Sequence, residues 1–207
     1  IPFWPLLPGL LIWIGLFGIF WNADRTVRLS NWVVAWRQPI TAVITDLPHV
    51  IQYRRGLLPE PERECYISGN AFAKDWIKKV RDEVLDTPIL VIAGGLFHYF
   101  EENKVIALLR MIGQFGNMEV VFDTVNRKGM AMMQKKYMRQ IGHADAQMFF
   151  YVDAVEELAA KIGGNAKVIA DEPYYRYIPK NGLKMSTKVS MAVSDWFCMV
   201  KMIQLKL

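Results

Sequence analysis

Short apolar runs alternate with amphipathic stretches along most of the chain. Runs rich in β-branched residues, at 40–45 and 87–93, are typical of strands that are buried on both faces. The stretches 75–84 and 104–113 have apolar residues at helical spacing. This alternation predicts an α/β fold with a mainly parallel sheet and helices on both of its faces.

The same patterns place the other elements along the chain. The segment 126–139 is basic and rich in methionine, which predicts a helix or a lid, and Asp153 is expected to cap the helix that follows it. The last strand follows a less regular segment and is expected at an edge of the sheet, in antiparallel orientation. The remaining predicted strands span 31–36, 64–68, 118–123, 167–177 and 199–207, and the remaining helices span 48–56, 156–161 and 184–194.

The first 21 residues carry no charge. Pro2, Pro5 and Pro8 interrupt their first half, and 10–21 is only about half the length of a membrane-spanning helix. We expect residues 1–32 to form an apolar helical cap that packs over a pocket, ahead of a second domain at 33–207. A membrane anchor at 10–21 is the alternative.

Composition narrows the classes of partner. The 207 residues are 53% hydrophobic, and the net charge of +5 contains no block of like charges, which disfavours a nucleic-acid partner. A membrane partner is also disfavoured. Cys65 and Cys198 lack metal-ligand spacing and are interpreted as reduced thiols of a cytoplasmic protein, and no metal site is expected.

A carboxylate stands at the end of the predicted strand 40–45, and a helix follows at Pro48. In open α/β sheets, ligands bind just beyond the carboxyl ends of the strands. Asp46 is therefore placed to accept hydrogen bonds from two neighbouring hydroxyls, such as those of a ribose. The alternative is that Asp46 only caps the helix.

Three strand-end motifs resemble those of one family. They are Thr-Asp-Leu-Pro-His-Val-Ile at 45–51 with Arg54 and Arg55, Tyr-Ile-Ser-Gly-Asn-Ala at 66–71, and Pro-Ile-Leu-Val-Ile-Ala-Gly-Gly-Leu at 88–96. From about residue 41 onward the chain resembles the leucine carboxyl methyltransferase and polyketide O-methyltransferase family. The resemblance implies a seven-stranded Rossmann-like sheet, S-adenosylmethionine as cofactor, and methyl transfer to a carboxylate or hydroxyl of a small-molecule acceptor.

The resemblance also implies roles for individual residues. Methyl transfer to a carboxylate needs little acid–base help, so no catalytic residue is assigned. His98 is a candidate base for a hydroxyl acceptor, and the alternative is a partly exposed histidine without a chemical role. The implied cofactor neighbours are Asp46 and Leu47 at the ribose, Asn70, Ala71 and Phe72 at the adenine, and Gly94 and Gly95 at the methionine end, with His98 and Tyr99 facing the acceptor.

The family's first strand ends in a glycine-rich loop that wraps the cofactor. With the first strand placed at 31–36, the next residues are Arg37-Gln38-Pro39, and no glycine lies between Gly18 and Gly56. Ala73 and Gly94 also stand where the family has acids. Two interpretations follow: a catalytically silent relative that binds a partner through its apolar N-terminal segment, or a sequence that lacks a segment between residues 32 and 40.

Overall fold

One sheet of seven strands forms the centre of the molecule. A computed structural model describes residues 10–14, 42–58, 60–61, 64–84, 87–137 and 147–207. The strands are β1 (Leu10–Ile14), β2 (Ala42–Asp46), β3 (Glu64–Ser68), β4 (Ile89–Ala93), β5 (Met118–Val125), β6 (Lys167–Pro173) and β7 (Val200–Lys206). They lie in the order β3-β2-β1-β4-β5-β7-β6.

The sheet is mixed, with a single reversed strand among the seven. Strands β3, β2, β1, β4 and β5 pair in parallel, whereas β7 is antiparallel to both β5 and β6. The last strand is therefore antiparallel, as predicted, but the predicted edge position is wrong. Ile203 and Leu205 of β7 are fully buried, while alternate residues of β6 are exposed, so the more apolar strand takes the interior position.

Among the described residues, the helices are α1 (Pro48–Leu57), α2 (Asp75–Val84), α3 (Glu102–Gly113), α4 (Arg127–Met132), α5 (Val155–Ile162) and α6 (Met185–Trp196). Helices α2, α3 and α5 pack in one core against the sheet. Helix α1 connects β2 to β3 and leads in the opposite direction along the sheet, so the right-handed rule for parallel crossovers assigns it to the other face. The Rossmann-like α/β prediction is thus confirmed.

The main apolar core lies between the sheet and the helices α2, α3 and α5. Phe97, Phe122 and Phe150 form its aromatic centre, with ring centroids 5.0–6.3 Å apart. The helices contribute residues that repeat at helical spacing. These are Trp76, Ile77, Val80, Val105, Leu108, Leu109, Ile112, Val155, Leu158 and Ile162.

The prediction that residues 1–32 form a helical cap is wrong for the five residues of this segment that the structure describes. Residues Leu10–Ile14 form β1, a strand between β2 and β4, and not a helix that caps a pocket. A short run of apolar residues fits a central strand as well as a buried helix, and periodicity alone does not separate the two. Three other predictions lie outside the described residues. They are the strand at 31–36, the domain boundary at 32, and residues 15–21 of the alternative membrane anchor.

Most predicted elements after residue 41 lie where the structure has them, with differences at their ends. The strand predicted for 167–177 ends at Pro173, and the next four residues form a turn. The predicted cap of α5 is wrong, because its N-cap is Ala154 and no side chain caps it. The Asp153 carboxylate instead accepts a hydrogen bond from the Arg127 backbone N–H at 2.8 Å. Among the described helices, none has the length and apolar character needed to cross a membrane.

Candidate cofactor and acceptor site

The ends of β2, β3 and β4 meet along one edge of the sheet. Asp46 pairs with Ser68 in register, and Ile14 of β1 pairs with both Thr45 and Ala93. Neighbouring strands lie about 4.8 Å apart, so the ends of β2 and β4 are about 10 Å apart with β1 between them. With β3 on the other side of β2, the three strand ends at which the implied cofactor neighbours lie span about 14 Å of sheet edge, which is enough for a nucleoside.

The position of β1 corrects the search for the glycine-rich loop. The first strand of the sheet ends at Ile14, and not near Trp36. The next residue in the sequence is Gly15, and Gly18 follows three positions later. The conclusion that no glycine follows the first strand was therefore wrong, because it started from the wrong strand. Gly15 and Gly18 themselves lie outside the described residues.

Asp46 ends β2 with a half-buried carboxylate. Its Oδ1 accepts a hydrogen bond from the Leu47 N–H at 2.7 Å, and its Oδ2 accepts none from a described residue. The N-cap of α1 is Leu47, and no side chain caps this helix, so the capping interpretation of Asp46 is wrong. Burial raises the pKa of this carboxyl above its ordinary value, against the smaller lowering effects of the Leu47 N–H and two nearby basic side chains.

The turn after β3 is held by its own contacts. The Gly69 N–H donates to the Asp46 backbone carbonyl at 2.9 Å, which joins this turn to the end of β2. Asn70 Oδ1 accepts from the Phe72 N–H at 2.9 Å, and the Trp76 indole donates to the Ala71 carbonyl at 3.0 Å. The side-chain oxygen of Asn70 is therefore engaged in the turn, and Ala71 and Phe72 provide an apolar surface beside it.

The turn after β4 consists of Gly94 and Gly95 and lies at the same edge of the sheet as the ends of β2 and β3, without side chains that fill the space there. Gly95 has φ +66°, a backbone conformation that glycine adopts without strain. Its N–H donates to Asp123 Oδ1 at 2.6 Å. Farther along, the ring of Phe100 lies 4.6 Å from that of Phe72, so the segments after β3 and β4 are in contact.

His98 follows the glycines in a short 3₁₀ turn, Phe97–Tyr99. It is only 5% exposed, so the alternative of a partly exposed histidine is wrong. Its Nε2 lies 3.3 Å from Asp123 Oδ2, and its Nδ1 is buried without a hydrogen-bond partner among the described residues.

The charge of Asp123 determines which ring nitrogen of His98 carries the hydrogen. Burial acts to raise the pKa of its carboxyl, but the His98 ring and the Gly95 N–H outweigh burial and hold the pKa below its ordinary value. An ionised carboxylate only accepts hydrogen bonds, so the imidazole donates through Nε2–H. In the neutral ring, Nδ1 then carries the lone pair.

Tyr99 is half-buried and packs against a second apolar cluster, formed by Val125, Met130 and Met148. The same region is tied to the 3₁₀ turn, since the backbone carbonyl of His98 accepts from the Phe149 N–H at 2.8 Å. Tyr99 thus adjoins the methionine-rich helix α4 through Met130, in the segment that the sequence predicted as a helix or lid.

The sequence did not identify Asp123 as a site residue. It indicated only a carboxylate at the end of a predicted strand. The available signal was its position in an apolar strand: with Ala93 and Phe122 in register, the next residues are Gly94 and Asp123, side by side. Among the described residues, no three His, Cys, Asp or Glu side chains are placed to hold a metal ion.

Comparisons with known proteins agree with this architecture. No protein-family model and no curated protein sequence matches the chain. Solved structures do match. LepI in complex with S-adenosylmethionine has 17% identity and a TM-score of 0.58, over 98% of this chain and 44% of that chain. The O-methyltransferase NcsB1 from neocarzinostatin biosynthesis, in complex with S-adenosylmethionine and 2-hydroxy-5-methyl naphthoic acid, has 14% identity and a TM-score of 0.54, over 96% and 48%.

A DUF574 family protein from Streptomyces avermitilis matches with 14% identity and a TM-score of 0.64, over 97% of this chain and 75% of that chain. The chain spans less than half the length of LepI and NcsB1. At these identities the comparisons establish the fold. The chain has the Rossmann-like α/β fold of S-adenosylmethionine-dependent methyltransferases.

Proposed function

We propose that the protein is an S-adenosylmethionine-dependent O-methyltransferase that acts on a small molecule. The observation that carries the proposal is the set of three strand ends, of β3, β2 and β4, along about 14 Å of sheet edge, with the Asp46 carboxylate between the ends of β3 and β4. Support comes from the fold, since structures of the same fold are in complex with S-adenosylmethionine.

The described residues fit this cofactor. Asp46 Oδ2 has no hydrogen-bond donor among them and is available to the two hydroxyls of a ribose. Ala71 and Phe72 offer an apolar surface suited to adenine. Gly94 and Gly95 have no side chain that blocks the approach of the amino-acid end. When bound, S-adenosylmethionine supplies a methyl group on a positively charged sulfur.

The His98–Asp123 pair favours a hydroxyl acceptor. A hydroxyl oxygen that accepts a methyl group must give up its proton, so a side chain at the acceptor would have to hold that proton. His98 Nδ1 takes this proton in the proposal, and the Asp123 carboxylate stabilises the resulting imidazolium through Nε2. A carboxylate acceptor needs no such base and is the second candidate.

A cytoplasmic location, inferred from the cysteines, is part of this proposal and fits an enzyme that acts on small molecules.

The catalytically silent interpretation rested mainly on the missing glycines, and the position of β1 removes that reason, since Gly15 follows the first strand of the sheet. Ala73 and Gly94 remain as departures from the family pattern.

Calorimetric titration with S-adenosylhomocysteine tests the cofactor. We expect a saturable response with one site per chain. Asp46→Asn should weaken binding at least about tenfold, since hydrogen bonds to a charged group contribute about 1.5–3 kcal/mol. Asp82→Asn, at an exposed carboxylate of α2, is the matched control and should bind as the wild type does. The absence of heat at millimolar ligand would contradict the proposal.

A mass-spectrometric assay tests the reaction. The protein is incubated with S-adenosylmethionine and a panel that pairs phenols and aliphatic alcohols with carboxylic acids and amines of similar size. We expect products heavier by one methyl group among the hydroxyl compounds. Methylation confined to the acids would support the second candidate, and methylation of nitrogen compounds alone would contradict O-methylation.

A further inference from the structure

Helix α6 carries an apolar stripe on its outward side. Met185, Val189, Val193 and Trp196 are 72%, 56%, 44% and 83% exposed, and their spacing places them on one helix face. The opposite face is buried through Met191 and Ser194. We call these four exposed residues the α6 stripe. Exposed apolar side chains that adjoin one another in this way mark an interaction surface.

Basic side chains surround the α6 stripe. Lys184 is the N-cap residue of the helix, and Lys188 lies one turn further along its flank. At the other end, Lys128 Nζ lies 5.9 Å from the ring centroid of Phe197, which is itself 49% exposed. None of the three lysines forms an ion pair with another described residue.

The acids closest in sequence to the stripe are already engaged. Asp195 Oδ1 accepts a hydrogen bond from the Tyr175 N–H at 3.0 Å. On strand β6, Asp171 pairs with Lys201 and Glu172 pairs with Arg176. Asp195 keeps its negative charge, because a backbone N–H is neutral, so three lysines without ion pairs stand against one carboxylate and the surface around the stripe is net positive.

We propose that α6 docks on an anionic lipid surface, with the stripe and Phe197 at the level of the headgroups and the lysines on the lipid phosphates. The four side chains of the stripe protrude from the protein surface, so they can enter the headgroup region of a lipid bilayer, which deforms around them. An amphipathic helix with aromatic residues on its apolar side and lysines at its borders is typical of helices that lie in the membrane interface. A second copy of the chain is disfavoured, because it would bring the two basic borders together.

This mode of binding differs from the anchor considered in the sequence analysis. That anchor was a spanning segment at 10–21, whereas α6 has 12 residues and would lie parallel to the surface. The binding should be reversible, because only one face of one helix enters the interface. It should also weaken with salt, since screening reduces the attraction between lysines and anionic lipids.

Vesicle co-sedimentation with the full chain tests the proposal. One set of vesicles contains phosphatidylcholine with about a third phosphatidylglycerol, and the other contains phosphatidylcholine alone. We expect binding to the anionic vesicles at low salt and at least tenfold less to the neutral ones. Lys184→Glu with Lys188→Glu should weaken anionic binding about thirtyfold or more. The matched control, Lys78→Glu with Lys79→Glu on α2, makes the same charge change at exposed positions and should bind as the wild type.

A second pair of variants tests the apolar contact. Val189→Ser with Trp196→Ser should abolish sedimentation, whereas Tyr53→Ser with Leu57→Ser, at exposed apolar positions of α1, should leave it intact. Equal binding by the stripe and control variants, or no binding by the wild type, would overturn the proposal. Light scattering after size exclusion provides a further check. If the wild type is a dimer that the stripe variant converts to a monomer, the stripe joins two copies of the chain and the lipid proposal is wrong.

Discussion

The carboxylate of Asp123 lies 3.3 Å from the imidazole of His98, with both side chains largely shielded from water. The second oxygen of the same carboxylate accepts from the Gly95 N–H. One side chain of β5 therefore fixes both the glycine turn on the proposed cofactor side and the histidine on the proposed acceptor side. Changes at Asp123 should affect stability and chemistry together.

Asp123→Asn should destabilise the protein at neutral pH by about 2 kcal/mol, because two hydrogen bonds to a buried charge are weakened. In a protein of this size this corresponds to a fall of about 4–8 °C in melting temperature. The pKa of the Asp123 carboxyl is lowered from 3.8 on folding, so its stabilising contribution is complete above that value and is lost as the pH falls towards the folded-state pKa.

Thermal melts of both proteins from pH 7 to about pH 3 check this dependence. The difference between wild type and Asp123→Asn should be full at pH 7 and should narrow below about pH 4. Glu156→Gln, at an exposed position in the first turn of α5, is the control and should lower the melting temperature by only about 1–3 °C at pH 7, since a carboxylate there acts only on the helix dipole. A difference that stays constant with pH would contradict the role assigned to the Asp123 charge.

His98→Asn tests the proposed base. Methyl transfer to a hydroxyl acceptor should slow about 10²–10⁴-fold, the usual contribution of a general base. Affinity for S-adenosylhomocysteine should change little, and any transfer to carboxylates should continue, because neither depends on a proton acceptor. Steady-state rates with both acceptor classes, together with calorimetry, provide the measurement. Equal loss for hydroxyl and carboxylate acceptors would indicate a structural role for the ring.

Asp46→Asn should separate stability from binding. Burial raises the pKa of the Asp46 carboxyl, so its ionisation costs stability above the folded-state pKa, and this cost disappears in acid. The amide retains an oxygen that can accept from the Leu47 N–H. The variant should therefore melt slightly higher than the wild type at pH 7, by about 2 °C or less, and equally at low pH.

The same raised pKa should make cofactor binding depend on pH. Ribose hydroxyls donate to the ionised form of Asp46, so affinity for S-adenosylhomocysteine should fall as the pH drops through the pKa of this carboxyl. Asp46→Asn should lose that dependence along with most of the affinity. Calorimetry at several pH values measures both effects, and a wild-type affinity that is constant in acid would contradict the assignment of Asp46 to the ribose.

Two glycines in helices should respond oppositely to alanine. A Cβ at Gly129 in α4 would lie 2.3 Å from the Met199 carbonyl oxygen, so Gly129→Ala should cost about 1–3 kcal/mol through a forced shift of the helix. Gly56 in α1 has no atom within 4 Å of the added Cβ, and Gly56→Ala should stabilise by about 0.5–1 kcal/mol. Urea unfolding of the two variants measures both changes. If Gly129→Ala proved neutral, the close packing of α4 on Met199 would be excluded.

The sequence was most informative where the signal is local. The bounds predicted for β3 and α2 agree with the structure, because alternation and helical spacing arise within a few residues. The segment Leu10–Ile14 was misassigned, since a five-residue apolar run is compatible with a buried strand or a buried helix until its neighbours are known. That single error also displaced the search for the glycines that follow the first strand.

The sequence by itself determined the α/β alternation and the residues at the strand ends, including Asp46 and the pair Gly94-Gly95. These features depend on the backbone preferences and polarity of adjacent residues. Only the tertiary structure decided that β1 lies between β2 and β4, that β7 is interior, and that Asp123 holds a histidine 25 positions away. Such relationships depend on which strands pair and in which register, and the free energy that selects the pairing comes from burial of residues that are distant along the chain.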